Sequence, residues 1–316
     1  MKRAGFYLLA ILFIESSGTS AGSKVTDPVN DSFFEATTPL GIPVKKMLGI
    51  TADDKHEMLK WNLTLTRATK NTPSAFKLLY EYGIPKQGTR GFMEGSKKVE
   101  LIGNWVIEKG TTANNAATVV RLSATGVPVS LSFLQADENI LHLLDENKNL
   151  MIGNGAWSYT LNRKDPVPQN KIIRGEVLTS QILAVNDTVG IFEGRTPCND
   201  GLTKINNISL NGCQAIKCQL ILLQNVNTHS PATFILKTVY VGKGDNRYTT
   251  TGKWKMLRGK TSDPATIIYQ LEPEAAKSGT PISLLKGDDN ILFFLDPDGR
   301  LLVGNNYCSY TLNKKR

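Results

Sequence analysis

Residues 137–162 read DENILHLLDENKNLMIGNGAWSYTLN, and residues 288–313 read DDNILFFLDPDGRLLVGNNYCSYTLN. Fourteen of these 26 positions are identical without a gap, where unrelated segments of average composition share roughly one or two. The chain is therefore a duplication, and this block closes each copy. Working outward, Val29-Asn30-Asp31 pairs with Val185-Asn186-Asp187, and Phe34-Glu35 with Phe192-Glu193. Mid-module, Gly103-Asn104-Trp105 pairs with Gly252-Lys253-Trp254, and Pro73 and Phe76 with Pro231 and Phe234. These matches set the copies at 29–163 and 185–316. The stretch between them, 164–184, opens on Lys164-Asp165-Pro166-Val167-Pro168, whose prolines and polar residues mark a linker. Units of this length are duplicated domains, since solenoid repeats are far shorter.

Within a module the periodicity is that of strands. Trp61-Asn62-Leu63-Thr64-Leu65-Thr66 alternates apolar and polar residues, and 76–82 places Phe76, Leu78, Tyr80 and Tyr82 on one face. Turn residues follow at Asp145-Glu146-Asn147-Lys148 and Asp296-Pro297-Asp298-Gly299. The spacing predicts an all-β fold of about eight short strands in each of the two tandem modules, arranged as a barrel or a sandwich. A short helical excursion is expected after the first strand, over 44–48 with a second turn across 53–58. Trp105 and Trp254, each two residues after a glycine, are expected to be buried equivalents.

The opening Met1-Lys2-Arg3, the apolar run over 4–14 and the small-residue exit Thr19-Ser20-Ala21 form the three parts of a secretory signal peptide. The expectation is cleavage after Ala21. The apolar run is too short to span a bilayer, which takes about 20 residues. With no cysteine before Cys198, lipid anchoring at the N-terminus is not expected. The remainder reads as an exported chain, periplasmic or extracellular, that meets membranes at most peripherally. Hydrophobic residues make up 41% of the sequence and charged ones 21%, enough apolar surface for a core in each module. The net charge of +9 is scattered, and an exported chain has no use for nucleic acid.

The run Gly194-Arg195-Thr196-Pro197-Cys198, followed by a strand-rich module ending in a Leu-Asp hairpin, resembles the N-terminal domain of the copper-resistance lipoprotein family NlpE. That resemblance implies a small lipocalin-like barrel in the bacterial envelope, with copper tolerance and envelope-stress signalling as associated roles. The family carries Cys-x-x-Cys after the glycine and proline. Here Cys198-Asn199-Asp200 is followed by Gly201, and the first module has Leu40 in place of the first cysteine.

All four cysteines, Cys198, Cys213, Cys218 and Cys308, lie in the second module, and in an exported protein an even number suggests disulfides. The repeat offers a pairing. Cys218 aligns with Trp61 and Cys308 with Trp157, so both tryptophans of one copy are cysteines in the other. A double exchange of that kind is expected of touching positions. The expectation is Trp61 against Trp157 in module one, Cys218 bonded to Cys308 in module two, and Cys198 bonded to Cys213.

Catalytic and metal chemistry leave little trace. His142 occupies the place of Phe293 and reads as a packed ring, while His56 and His229 have no partner at metal-ligand spacing. Asp296-Pro297-Asp298-Gly299 lacks the later ligands of a calcium loop and reads as a hairpin turn. No Gly-x-Ser-x-Gly, phosphate loop or His-Glu-x-x-His occurs. No cofactor is expected. The reading is a non-enzymatic tandem barrel that binds a small apolar ligand or an envelope protein. Copper binding through reduced Cys198 and Cys213 is the alternative, and a hydrolase with carboxylates drawn from separate strands is the third possibility.

Overall fold

The computed structural model describes residues 31–69, 72–169, 172–177, 186–198, 202–203, 208–244, 246–259, 265–274 and 281–316. The expected signal peptide lies outside them. Eight antiparallel strands form the first barrel: β1 Ser32–Pro39, β2 Met58–Thr69, β3 Thr72–Gly83, β4 Lys97–Lys109, β5 Thr118–Ala124, β6 Leu131–Gln135, β7 Ile140–Leu143 and β8 Thr160–Arg163. Each pairs with the next, and β8 closes on β1 through Phe34 opposite Arg163 and Glu35 opposite Asn162. After β9, Gly175–Val177, the second barrel repeats the order: β10 Asn186–Thr196, β11 Ala215–Asn225, β12 Pro231–Val241, β13 Arg247–Gly259, β14 Ile267–Pro273, β15 Ile282–Lys286, β16 Ile291–Leu295 and β17 Thr311–Lys314. It closes through Phe192 opposite Lys314 and Glu193 opposite Asn313. Of the barrel and the sandwich that the turn spacing allows, the structure forms two closed barrels of eight strands, one after the other, as the family resemblance implies.

Each barrel bends at its Gly-x-Trp. Gly103 is the residue at which β4 changes neighbour, pairing with Phe76 of β3 on one edge and Ala124 of β5 on the other. Gly252 does the same between Phe234 of β12 and Pro273 of β14. A Cβ at Gly103 would stand 2.1 Å from the Ser123 carbonyl oxygen, and one at Gly252 2.1 Å from that of Glu272, so only glycine lets the backbones close this corner. Two residues on, Trp105 and Trp254 turn inward and are buried. Their indole N–H groups donate to the Thr66 carbonyl at 2.9 Å and the Leu223 carbonyl at 2.7 Å, equivalent points on β2 and β11.

Side chains fill both interiors. Trp61, Phe76, Leu78, Trp105, Phe133 and Leu161 pack in the first barrel, and Leu220, Phe234, Tyr240, Trp254, Phe294 and Leu312 in the second. The excursion after β1 contains one short helix, α1 Ile42–Met47, with proline in its first turn. Val44 and Met47 of α1 reach into the barrel core. The second helical turn expected over 53–58 does not form. There, the Asp54 carboxylate takes the His56 N–H at 2.9 Å, and β2 begins at Met58.

The described residues between the barrels, 164–169 and 172–177, are built into the structure. The Asn139 side chain clasps Val167, accepting its N–H at 2.9 Å and donating to its carbonyl at 2.8 Å. The Gln169 amide donates to the Leu301 carbonyl at 2.8 Å. Ile173 donates its N–H to the Gly299 carbonyl at 2.7 Å and is buried. β9 then joins β13 antiparallel, with Gly175, Glu176 and Val177 opposite Gly259, Arg258 and Leu257.

Candidate functional site

The block that reveals the repeat is also the seam between the barrels. Gly153 donates its N–H to Asn313 Oδ1 at 2.8 Å, and Gly304 donates its own to Asn162 Oδ1 at 2.8 Å. The Asn162 amide donates to the Asn305 carbonyl at 3.0 Å, and that of Asn313 to the Asn154 carbonyl at 3.3 Å. Ser158 meets Ser309 at 2.6 Å, and Thr160 meets Thr311 at 2.9 Å. In each case residue i touches j while the counterpart of j touches the counterpart of i, the rule of a twofold interface. The six contacts use five residues of each 26-residue block, and these stand at identical positions in the two blocks. An apolar layer backs the polar seam, with Val119, Ile140, Leu144 and Leu150 of the first barrel against Leu257, Ile291, Phe293 and Leu301 of the second, and Ile173 between them.

Reciprocity makes a prediction. Asn162→Ala and Asn313→Ala each remove a clasp and leave a glycine N–H and a carbonyl without their partner, so each is expected to cost about 1–3 kcal/mol. Equilibrium denaturation should give the two variants similar losses. A seam in which one variant is silent and the other severe would not be twofold.

His142 breaks the symmetry of the seam. It is buried, its ring stands edge-on to Phe293 at 5.6 Å, and Nε2 lies 2.9 Å from the Met151 carbonyl. A carbonyl only accepts, so Nε2 carries the proton and Nδ1 accepts from the Thr160 hydroxyl at 2.9 Å. Burial pulls the imidazole down to about 4. It is a neutral, fully used core ring, as expected from Phe293 in its counterpart.

Between the barrels opens a cleft of about 930 Å³. Its first wall is the β4–β5 loop, from Thr111 to Thr118, with the end of β6 from Leu134 to Glu138. Gly259, Thr266, Lys286 and Phe293 form the second, and the strap Ile172–Arg174 runs along it. Glu138 Oε2 is buried in this wall without a hydrogen-bond partner among the described residues. Burial acts to lower the Lys286 ammonium, but the Asp289 carboxylate at 2.6 Å holds it above its ordinary value. The cleft therefore offers a carboxylate able to accept, a fixed cation, and small neutral side chains. Its volume is that of a small-molecule or peptide site. Sequence reasoning did not find it, because its walls come from turns far apart in the chain.

The cysteines divide. Cys198 and Cys213 are bonded to each other, closing the excursion of the second barrel. Cys218 and Cys308 are free and buried, which overturns the expected Cys218–Cys308 bond. The reason is the wall of the barrel. Cys218 points inward beside Thr196, whereas Cys308 lies on the outside, in the seam with Arg195 and Tyr307. Thr196 and Arg195 are consecutive residues of β10 and face opposite sides of the sheet. β10 also runs between β11 and β17, and strands two apart stand about 9–10 Å from each other, beyond the reach of a disulfide.

The same geometry overturns the Trp61–Trp157 contact. Trp61 is inside, edge-on to Phe133, with its N–H donated to the Thr38 hydroxyl at 2.8 Å. Trp157 lies in the seam with Thr37. Closure is made by the first strand with the last, and the second strand never meets the last. Burial raises the Cys218 thiol to about 12 and that of Cys308 to about 11, so neither is a thiolate at neutral pH.

The sulfurs of Cys198 and Cys213 are spent on each other, and among the described residues no group of three or more His, Cys, Asp or Glu could hold a metal ion. Asp288 and Asp296 of the repeat block serve as turn caps. Asp288 takes the N–H groups of Asn290 and Ile291 at 2.8 and 2.9 Å, and Asp296 that of Arg300 at 2.8 Å, as expected for a hairpin turn. Among the described residues, no helix is long and apolar enough to cross a membrane.

Fold and seam define a tandem of two closed, eight-stranded, lipocalin-like barrels. Residues 192–305, from within β10 to the turn before β17, match the family model described as the NlpE N-terminal domain. The resemblance to that family is thus shown for the second barrel, and the first repeats its strand order and glycine corner. No curated protein and no solved structure matches the chain at a significant level.

Proposed function

We propose that this is an exported, non-enzymatic envelope protein that binds or senses a partner or small ligand in the cleft between its barrels. The observation that carries this reading is where the open volume lies. Both interiors are packed with large buried side chains, while the cleft lies at the junction and draws on both barrels and the strap. A site shared by two barrels can couple occupancy to the seam, which suits the envelope-stress role of the matched family. The copper role of that family would require Cys198 and Cys213 as free thiolates. The test is native mass spectrometry of protein purified from its own envelope, beside an Ala117→Trp variant that fills the cleft. A bound species present in the parent and lost in the variant is the expected result. The same species retained by the variant would remove the cleft from consideration.

A further inference from the structure

The two barrels differ at one edge. Past Asn104, β4 has left β3 and keeps a partner only in β5. β13 leaves β12 in the same way after Lys253, and its vacated edge at 257–259 is taken by β9. Counting from the shared Gly-x-Trp, Arg258 corresponds to Lys109 and Gly259 to Gly110. The phase of the hydrogen bonds also agrees. Gly110 N–H donates to the Ala117 carbonyl at 2.9 Å, and Gly259 N–H to the Thr266 carbonyl at 2.7 Å. Antiparallel strands alternate which edge they bond, so Arg258 turns its N–H and C=O toward β9. Ile107 and Lys109 turn theirs toward an edge where no described strand lies.

That edge carries apolar side chains in the open. Val106 and Ile107 are 40% and 42% exposed, whereas Met256, the counterpart of Ile107, packs partly against its core. Natural edges are blunted or covered, and in the second barrel β9 provides the cover. It also shows what fits: an extended segment running antiparallel, with an acid, Glu176, opposite the basic Arg258. Lys109 presents the same charge. One difference bears on the length of the occupant. The Gly299 carbonyl accepts from Ile173 of the strap, but its counterpart, the Lys148 carbonyl, already accepts from Thr112 at 3.2 Å.

We propose that the open edge at 107–110 of the first barrel is a strand-addition site for a short, extended, acidic segment of a partner polypeptide. Main-chain hydrogen bonds from Ile107 and Lys109 supply the pairing, and Lys109 selects an acid opposite it. None of residues 107–110 lines the cleft, so peptide binding at this edge is scored apart from occupancy of the cleft.

The experiment uses the full chain and a synthetic peptide with the sequence of residues 172–179, IIRGEVLT, followed by amide-resolved NMR and hydrogen exchange. Saturable shifts at 105–110 and at least tenfold slower exchange of the Ile107 and Lys109 amides are expected. Replacing the peptide's glutamate with lysine should weaken binding at least tenfold, and Lys109→Glu should reverse that preference. Ile107→Pro removes one outward N–H at an edge that tolerates proline, and should abolish binding with the fold unchanged. The proposal is overturned if millimolar peptide gives no saturable shifts, or if Ile107→Pro binds as well as the parent. It is equally overturned if both amides are already protected in the free chain, because the edge is then covered by the protein itself.

Discussion

Trp105→Ala and Trp254→Ala are each expected to cost about 3–5 kcal/mol of folding stability. Both indoles are buried at the corner where a long strand passes between neighbours, and both close it with a hydrogen bond to the preceding hairpin. Truncation leaves a cavity and strands the Thr66 or Leu223 carbonyl. Arg67 lies over the Trp105 ring at 4.7 Å and Tyr269 stands edge-on to Trp254 at 5.0 Å, contacts of similar worth, so the two losses should be similar. Because the barrels share the apolar layer around Ile173, either variant should lower the denaturation midpoint of the whole chain. A loss below about 1 kcal/mol in either would show that the corner does not hold its barrel together.

Acid should act on the seam through His142. The unfolded imidazole takes a proton near 6.5, whereas the folded one resists until about 4. Between those values the unfolded chain binds the extra proton. This contribution to stability is therefore complete above about pH 6.5 and declines as pH falls through the folded value. The loss amounts to about 3 kcal/mol. A protonated ring could no longer accept from Thr160, whose hydroxyl also meets Thr311 across the seam. His142→Phe, which installs the residue found at Phe293, should remove this part of the acid sensitivity while costing some stability at neutral pH. Denaturation at pH 7 and pH 4.5 measures it. An unchanged pH slope in the variant would assign the acid response to other groups.

Strand number, the duplication and the Gly-x-Trp core were legible because they are written in local alternation and in a gap-free internal match, whereas closure into a barrel joins the first strand to the last and is not written locally. Asp288 and Asp296 as turn residues and His142 as a packed ring were legible for the same reason. The cysteine pairing was legible only where it was local. Cys198 and Cys213 are 15 residues apart on one excursion, so proximity follows from the chain. Cys218 and Cys308 sit on opposite faces of the barrel wall, and an alignment of two copies says which positions correspond, not which side of β10 each one occupies.

By itself the sequence determined two equivalent all-β modules, since period-two alternation and turn chemistry act over a few residues and need no distant partner. Tertiary structure decided what the most similar block is for. Gly153, Asn154, Ser158, Thr160 and Asn162 recur as Gly304, Asn305, Ser309, Thr311 and Asn313, and they meet one another across the seam. A self-complementary interface constrains both copies to the same residues, so identity within the chain measured contact between the barrels as much as shared fold. The cleft and the uncovered edge of β4 likewise exist only once turns distant in sequence are brought together. Nothing local encodes them.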